Sequence, residues 1–574
     1  MKILLIGLNT KYIHNNLAIE NIMAFNRGIE GAEFKRLTFT INQSKEEVLR
    51  GIVLENPDIA GFSAYIWNIE MILDIVENLK KIRPGVRVVM GGPEVSYDPG
   101  SLLNRHPEID YVISGEGEYV FGELTKNLLQ ERPPTGIAGL YHREGDRVVG
   151  TGMGRQVALG DIPTVFEGKD RTTHIVYYEA SRGCPYNCSY CLSSTTRGLR
   201  VKPLTQVFED LKKFMALRVP LVKFIDRTFN ADSRRSLEIL RFILENSSGE
   251  TTFHFEISPN ALTPEWIAAL REAPEGLFQV EIGIQSVHMK VLKAVNRPMA
   301  FESIEDNLRQ VCALDNLHTH VDLIAGLPYS RLEDFLESFD RVYSLGADHF
   351  QLGFLKLLKG SQLRHQALEL GYRYDAKPPY EVLLNPWLSY EELLLLKHME
   401  HLMEIYANSG HFTVSLEFIL SFFQRPRDFF IEFSEFYESR GYFDFSHQLI
   451  RRVEILYEFL QAGGFENLAK AKALMKFDFY RKNRQPSGDF FPREEAPDKG
   501  ALHELLHDAQ RVARIFPQFA GRRPREILKA IKIVTFDYNV FEKPYVPGRV
   551  TGFFDYKNHE FGIIDIGGND ELHY

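Results

Sequence analysis

The chain has 574 residues, 44% of them hydrophobic and 25% charged, with a formal net charge of −10 at pH 7. That length holds about three or four domains, each with its own core. Its four cysteines are too few for a disulfide framework, and the acidic balance argues against nucleic-acid binding by the whole surface while leaving room for a local basic patch. No stretch approaches the roughly 18 consecutive apolar residues of a membrane span, and the apolar run in Met1-Lys-Ile-Leu-Leu-Ile-Gly7 is too short for a signal peptide. A cytoplasmic location is the expectation.

Residues 1–140 read as strands alternating with helices. Ile3–Ile6, Asp58–Ser63, Val86–Gly91 and Tyr111–Ser114 have the apolar, β-branched character of buried strands, and Leu73, Ile75, Val76 and Leu79 form the stripe of an intervening helix. Such alternation predicts a doubly wound parallel sheet, which binds ligands beyond the carboxyl ends of its strands. Those ends carry Asn9 and Thr10, Ser63 and Trp67, Gly91-Gly92-Pro93-Glu94, and Gly115, Glu116 and Glu118. Glycine there permits close backbone approach to a ligand. A nucleotide- or flavin-binding sheet is an alternative, but no Gly-x-Gly-x-x-Gly follows the first strand, which weakens the dinucleotide version.

Residues 141–172 read as a connector. Tyr141–Val149 has the pattern of a hairpin with a Gly-Asp turn, and Asp161-Ile-Pro163 marks passage to the next domain.

Residues 173–375 contain Gly183-Cys-Pro-Tyr-Asn-Cys-Ser-Tyr-Cys191. Cys184, Cys188 and Cys191 can place three thiolates around one 4Fe–4S cube from a single loop, where a fourth normally completes the site. The remaining cysteine, Cys312, follows Ile304, Leu308 and Val311 at helical spacing and reads as a buried apolar residue. One iron is then left open to a small molecule, and an oxygen-sensitive cluster suits a reducing compartment. A zinc knuckle would require four ligands, and His174 lies across a strand. Six strands, 174–178, 221–225, 252–255, 278–282, 320–324 and 348–354, each end in polar or glycine-bearing residues, which predicts a parallel partial (β/α)6 barrel with an open mouth.

Residues 376–574 read as a mainly helical domain. The phenylalanines at 418, 422, 423, 429, 430, 433 and 436 have the density of a helical core. Lys470, Lys472, Lys476, Arg481, Lys482 and Arg484 interleave with Phe477, Phe479 and Tyr480. That alternation could serve RNA through phosphates and stacking, with a solvated helix face the preferred reading.

The cysteine spacing resembles the radical S-adenosylmethionine (SAM) superfamily, the N-terminal loop set resembles the cobalamin-binding domain that precedes many of its members, and the domain order resembles a bacterial group with an uncharacterised C-terminal domain. The resemblance implies a 4Fe–4S cluster whose open iron chelates SAM, reductive cleavage to a 5′-deoxyadenosyl radical, and bound cobalamin. It implies that Tyr190 faces adenine, that Glu256, Gln285 and Ser286 hold ribose and methionine, and that Asp226 stands near a Gly-Gly-Glu motif this chain lacks. Cobalamin domains that supply an axial histidine carry Asp-x-His-x-x-Gly; Asn9-Thr-Lys-Tyr-Ile-His14-Asn-Asn lacks both the Asp and the Gly, so the expectation is cobalt without His14. Methylation of an unactivated carbon or phosphorus is the first reading, oxidative cyclisation or rearrangement the second, and a redox sensor the third. A small-molecule or peptide substrate and a low-potential donor such as flavodoxin or ferredoxin complete the set. Iron content after anaerobic reconstitution should collapse when Cys184, Cys188 or Cys191 is changed to Ala and survive Cys312→Ala; equal loss in all four would defeat the open-iron reading.

Overall fold

The computed structural model describes residues 1–11, 14–164, 175–196, 198–484, 490–491 and 499–564, and the chain forms two bodies, Met1–Leu393 and Leu394–Tyr574. His174 lies outside the described residues.

In the first body, β1 (Lys2–Asn9), β2 (Glu33–Thr40), β3 (Ile59–Ser63), β4 (Arg87–Gly91), β5 (Tyr111–Ile113), β6 (Leu140–Glu144) and β7 (Arg147–Gly150) form one sheet in the order β2-β1-β3-β4-β5-β6-β7. The pairs from β2 through β5 are parallel. β6 and β7 add antiparallel to that edge, so the hairpin expected in the connector is an extension of the sheet. β2 escapes the sequence reading because it is a half-exposed edge strand without a buried apolar run. Apolar faces on both sides of the sheet make two cores, around Leu4, Ile6, Ala60 and Ile72, and around Ile3, Leu5, Val89 and Phe121. Helix Lys45–Glu55 starts with a reciprocal cap: Glu47 N–H donates to Ser44 Oγ at 3.2 Å, and Ser44 N–H donates to the Glu47 carboxylate at 3.3 Å.

β8 (Ile175–Tyr178) is followed by an antiparallel ribbon of β9 (Ser181–Cys184) and β10 (Gly198–Val201). Gly183 sits in this ribbon at φ +93°, where a Cβ would stand 2.2 Å from the Gly198 carbonyl oxygen, so the ribbon closes only around glycine. β11 (Leu221–Phe224), β12 (Thr252–Ile257), β13 (Phe278–Gln285), β14 (His318–Ala325) and β15 (His349–Phe354) join β8 in a six-stranded parallel sheet ordered β15-β14-β13-β12-β11-β8. One face of β13 and β14 is wholly buried and apolar, with Val280, Ile282, Ile284, Val321 and Leu323; the alternate residues are polar and half-buried. This alternation follows from the period of two along a strand.

The second body contains helices Thr413–Leu420, Pro426–Ser439, Leu449–Ala462 and Leu468–Lys482 and an antiparallel sheet of Ile531–Tyr538, Pro547–Asp555 and Glu560–Ile563. Phe429, Phe430 and Phe433 are fully buried, the core that the phenylalanine stripe predicts. The basic stretch divides. Helix Leu468–Lys482 buries Lys476 with Phe477, Phe479 and Tyr480, and Lys476 Nζ donates to the Thr535 carbonyl at 2.7 Å. The aromatics pack inward and so offer no stacking platform, whereas Lys470, Lys472 and Arg481 are half-buried and Lys482 and Arg484 are exposed. Among the described residues no helix is long and apolar enough to cross a membrane.

Candidate functional site

The cysteine loop leaves the barrel after β8. Cys188 is buried and Cys184 and Cys191 are half-buried, all as free thiols. Arg297 Nη1 donates to Cys188 Sγ at 3.7 Å while its Nη2 donates to the Gly283 carbonyl at 2.6 Å. Burial pushes the Cys188 thiol up, and the guanidinium partly offsets that. Ser193 N–H donates to Cys191 Sγ at 3.4 Å, and Cys184 Sγ lies 3.5 Å from Thr228 Oγ1. Among the described residues no three His, Cys, Asp or Glu side chains are gathered as a single metal ion would need. The loop spacing, not a preformed mononuclear site, therefore carries the cluster assignment. Cys312 ends helix Glu305–Cys312 and is hydrogen-bonded to Thr319, at the amino end of β14 and so at the opposite end of the barrel; burial pushes its thiol up to about 11.

The strand-end residues divide. Tyr190 is hydrogen-bonded to Cys188. Gln285 holds a positive φ of +72° at a bulge in β13, and its buried Oε1 has no partner in the protein. Strain of this kind in a non-glycine residue costs about 1–3 kcal/mol and collects at functional sites. A Cβ at Gly283 would lie 2.5 Å from Gln285 Nε2 and 3.7 Å from Arg297 Nη2, so glycine here makes room for both side chains. Ser286 Oγ accepts from His288 N–H at 3.2 Å, a local turn contact. Asp226 is buried, accepts from Ala180 N–H at 3.0 Å and from the Ser181 hydroxyl, and so anchors the start of the cysteine ribbon. Burial pushes its carboxyl up to about 7 against those two hydrogen bonds.

A cavity of about 770 Å³ opens where the carboxyl ends of β1, β3, β4 and β5 meet β8, β11 and β12. Asn9, Thr10, Ser63, Trp67, Gly91, Gly92, Pro93, Gly115, Glu116, Glu118 and Glu256 line it. Trp67 stacks on Tyr65 with ring centroids 4.5 Å apart and donates from Nε1 to the Leu8 carbonyl. Gly92 holds φ +110°, and a Cβ there would stand 2.4 Å from the Ala64 carbonyl oxygen, so the β4 loop turns under the cavity only as glycine. Glu94 is absent from the lining. It accepts from the Tyr380 hydroxyl and pairs with Lys359 at 2.5 Å, tying this loop to the segment after the barrel. His14 reaches the cavity, but its Nδ1 shares a 2.6 Å hydrogen bond with the Tyr177 hydroxyl and its ring stacks on that tyrosine; burial lowers its pKa.

Glu116 and Glu118 have protein partners that sequence reasoning missed. Arg182, in β9, pairs with Glu116 at 3.1 Å, Glu118 at 2.9 Å and Glu179 at 2.8 Å, and Arg200 of β10 also binds Glu116. Against the upward pull of burial, the two guanidiniums hold the Glu116 carboxyl below its ordinary range. Arg182 and Arg297 carry no motif of their own; only their places, one two residues before a cluster cysteine and one in the loop after helix Met289–Ala294, could have drawn attention to them.

Residues 3–125 match the B12 binding domain, residues 178–342 the Radical SAM superfamily, and residues 368–549 a family described as Protein of unknown function (DUF4080). The chain is 29% identical over 334 residues to the cobalamin-dependent radical SAM methyltransferase TokK of Streptomyces tokunonensis, covering 54% of this chain and 48% of that protein. It is 28% identical over 336 residues to the 2-(S-pantetheinyl)-carbapenam-3-carboxylate methyltransferase of Streptantibioticus cattleyicolor, covering 55% and 49%. The chain thus spans about half the length of the curated relatives it matches. The fold is that of the cobalamin-dependent SAM radical enzyme OxsB with aqua-cobalamin and SAM bound, at a TM-score of 0.57 and 16% identity over 83% of this chain and 78% of that one.

Arg182→Met should destabilise the first body by about 3–5 kcal/mol, the cost of stranding buried carboxylates, read as a lowered urea midpoint; an unchanged midpoint would show the network to be idle. Asp226 adds a pH dependence whose sign is fixed. Its folded pKa near 7 exceeds the unfolded 3.8, so its contribution is complete below 3.8 and is lost as pH rises through 7. Between pH 5 and pH 8 the metal-free protein should lose stability, by at most about 3–4 kcal/mol from this group, and Asp226→Asn should flatten that loss in urea melts at the two pH values. An equal loss in the variant would place its cause elsewhere.

Proposed function

We propose that this chain, which matches the B12 binding domain and the Radical SAM superfamily over separate segments, is a cobalamin-dependent radical SAM enzyme that methylates an unactivated centre of a small molecule. The observation that supports this most is the cavity of about 770 Å³, walled on one side by the sheet's glycine-bearing strand ends and on the other by the first barrel strands. Its volume lies within the range of small-molecule and cofactor pockets.

The residues present fit the cofactors. Cys184, Cys188 and Cys191 hold the cluster, with Arg297 setting a positive charge beside Cys188. Gln285 offers a buried, unpartnered acceptor and Tyr190 an aromatic ring beside Cys188, which suits SAM; Glu256 lines the large cavity. The loops at Asn9, Ser63, Gly91-Gly92 and Gly115 form the cobalamin cradle. Bound together, the cluster and SAM supply hydrogen-atom abstraction and cobalamin supplies a methyl group. The missing Asp and Gly of the axial-histidine motif support cobalamin bound without His14 as a ligand, and the His14 ring would be positioned by Tyr177 through Nδ1. The Trp67–Tyr65 stack forms part of the cavity wall.

Anaerobic protein carrying cluster and cobalamin should, on reduction, release 5′-deoxyadenosine from SAM, at a rate at least ~100-fold lower in Cys188→Ala, which removes a cluster ligand. With substrate present, S-adenosylhomocysteine should form in equal amount. Deoxyadenosine with no homocysteine product would favour oxidation or rearrangement, and no deoxyadenosine at all would leave only a sensing role.

A further inference from the structure

The second body gathers positive charge that the proposed reaction does not use. Helix Tyr390–Leu402 runs on into a π-helical turn, Met403–Asn408. Such turns are rare and collect at functional sites, where the wider turn re-aims side chains. Tyr406 of this turn is fully buried, meets the Tyr437 hydroxyl at 2.6 Å and donates to the Arg452 carbonyl at 3.0 Å, which fixes the turn against helix Leu449–Ala462. The chain then bends at Gly410, φ +62°. A Cβ there would stand 2.7 Å from Lys482 Nζ, so glycine lets the end of helix Leu468–Lys482 lie against the bend. Arg481 Nη2 donates to the Gly410 carbonyl at 3.4 Å and to Thr413 Oγ1 at 3.0 Å, tying the same two segments together.

His411 follows that bend directly. Burial, and then the positive charges of Lys482, Arg452 and Arg481, lower its pKa. His401, just ahead of the π-helical turn, is lowered by burial and then by Arg452, His398 and His447. Arg452 thus bears on both histidines that flank the turn. The cations repel one another and lack a free counter-charge. Asp478, the carboxylate that bears on Lys482, is already occupied: it accepts from Val414 N–H at 3.3 Å, from Ser415 N–H at 2.7 Å and from the Ser415 hydroxyl at 2.7 Å. Two donor positions stand idle, since His411 Nδ1 and Arg452 Nε are buried without a hydrogen-bond partner among the described residues. The group is still reachable, because His411 and Arg452 are only half-buried as residues and Lys482 is exposed. An anion among these cations would relieve their repulsion and take up the idle donors.

We propose that Arg452, His411 and Lys482 form a phosphate-binding site in the second body, taking either a phosphate monoester or free phosphate. The guanidinium presents paired donors to two phosphate oxygens, and the lysine adds a point charge. The imidazole donates from a ring nitrogen to a further oxygen. The three groups come from three separate elements: the bend after the π-helical turn, helix Leu449–Ala462 and the end of helix Leu468–Lys482. Donors arriving from three directions suit the tetrahedral oxygens of phosphate better than the planar pair of a carboxylate. The site stands apart from the radical chemistry, since none of the three residues lines the large cavity. It lies within residues 368–549, the segment matched by the family of unknown function.

The test is isothermal titration of the full chain, loaded with cluster and cobalamin, with inorganic phosphate, glycerol 3-phosphate and acetate. Ionic strength is held constant with chloride, so that screening alone is not read as binding. At least one of the two phosphates should bind, and acetate should bind more weakly. A tenfold preference for glycerol 3-phosphate would support the site with a phosphorylated metabolite as the source, and equal affinity would support it with free phosphate. Arg452→Met and Lys482→Met should each weaken binding at least tenfold, while Lys470→Met, on the same helix but outside the group, should leave it within twofold. Lys482 is exposed, so its variant carries the test even where Arg452→Met fails to fold. Absence of binding by both phosphates, tighter binding of acetate, or unchanged affinity in Lys482→Met would overturn the proposal. Deoxyadenosine release by the same samples reports on the enzymatic reading separately, and neither result decides the other.

Discussion

One guanidinium, Arg182, is withdrawn from water among three carboxylates, and the first body is organised around that constraint. A buried charge is tolerated only when paired and hydrogen-bonded. Glu179 comes from the strand end just before the cysteine ribbon, while Glu116 and Glu118 come from the loop after β5 of the N-terminal sheet. Meeting the electrostatic demand of Arg182 therefore fixes the cysteine loop against the sheet. Arg200 repeats the contact from the partner strand of the ribbon, so both strands that carry the loop are tethered. The cavity between sheet and barrel is a consequence, since its walls are held in register by these ion pairs.

A second constraint governs the barrel. On β13 and β14 one face is buried and mostly apolar, while the other carries mostly polar, half-buried residues, several of them paired with one another. Gly283 and the strained Gln285 mark where the inner face reaches the cysteine loop, with Arg297 bridging the β13 backbone and the buried thiol.

Much of this was legible in the chain. The six barrel strands follow from apolar runs ending in polar residues, and the three-cysteine spacing locates the loop that leaves the first of them. The glycine-bearing strand ends at Gly91-Gly92 and Gly115 locate the cavity floor. Long-range partners were not legible. Glu94, Glu116, Glu118 and Asp226 stand at strand ends, and each is also engaged by a protein partner distant in sequence: Lys359 and Tyr380 for Glu94, Arg182 for Glu116 and Glu118, which line the cavity as well, and the Ala180–Ser181 turn for Asp226. In the basic helix Leu468–Lys482 it is Lys476 that departs from the solvated reading, since a lysine that finds a carbonyl inside a core looks in sequence like one bound for solvent.

The sequence by itself determined the periodic features: which strands exist, that they alternate with helices, where the backbone needs glycine, and which loop can hold a cluster. These depend on local sterics and on patterns of two and 3.6 residues, which a chain displays in order. Only the tertiary structure decided which charged side chains remain available to a ligand and which are consumed in holding sheet and barrel together. That division depends on partners separated by tens to hundreds of residues, and on burial, which sets both the cost of an unpaired charge and the protonation of groups such as Asp226 and Glu281.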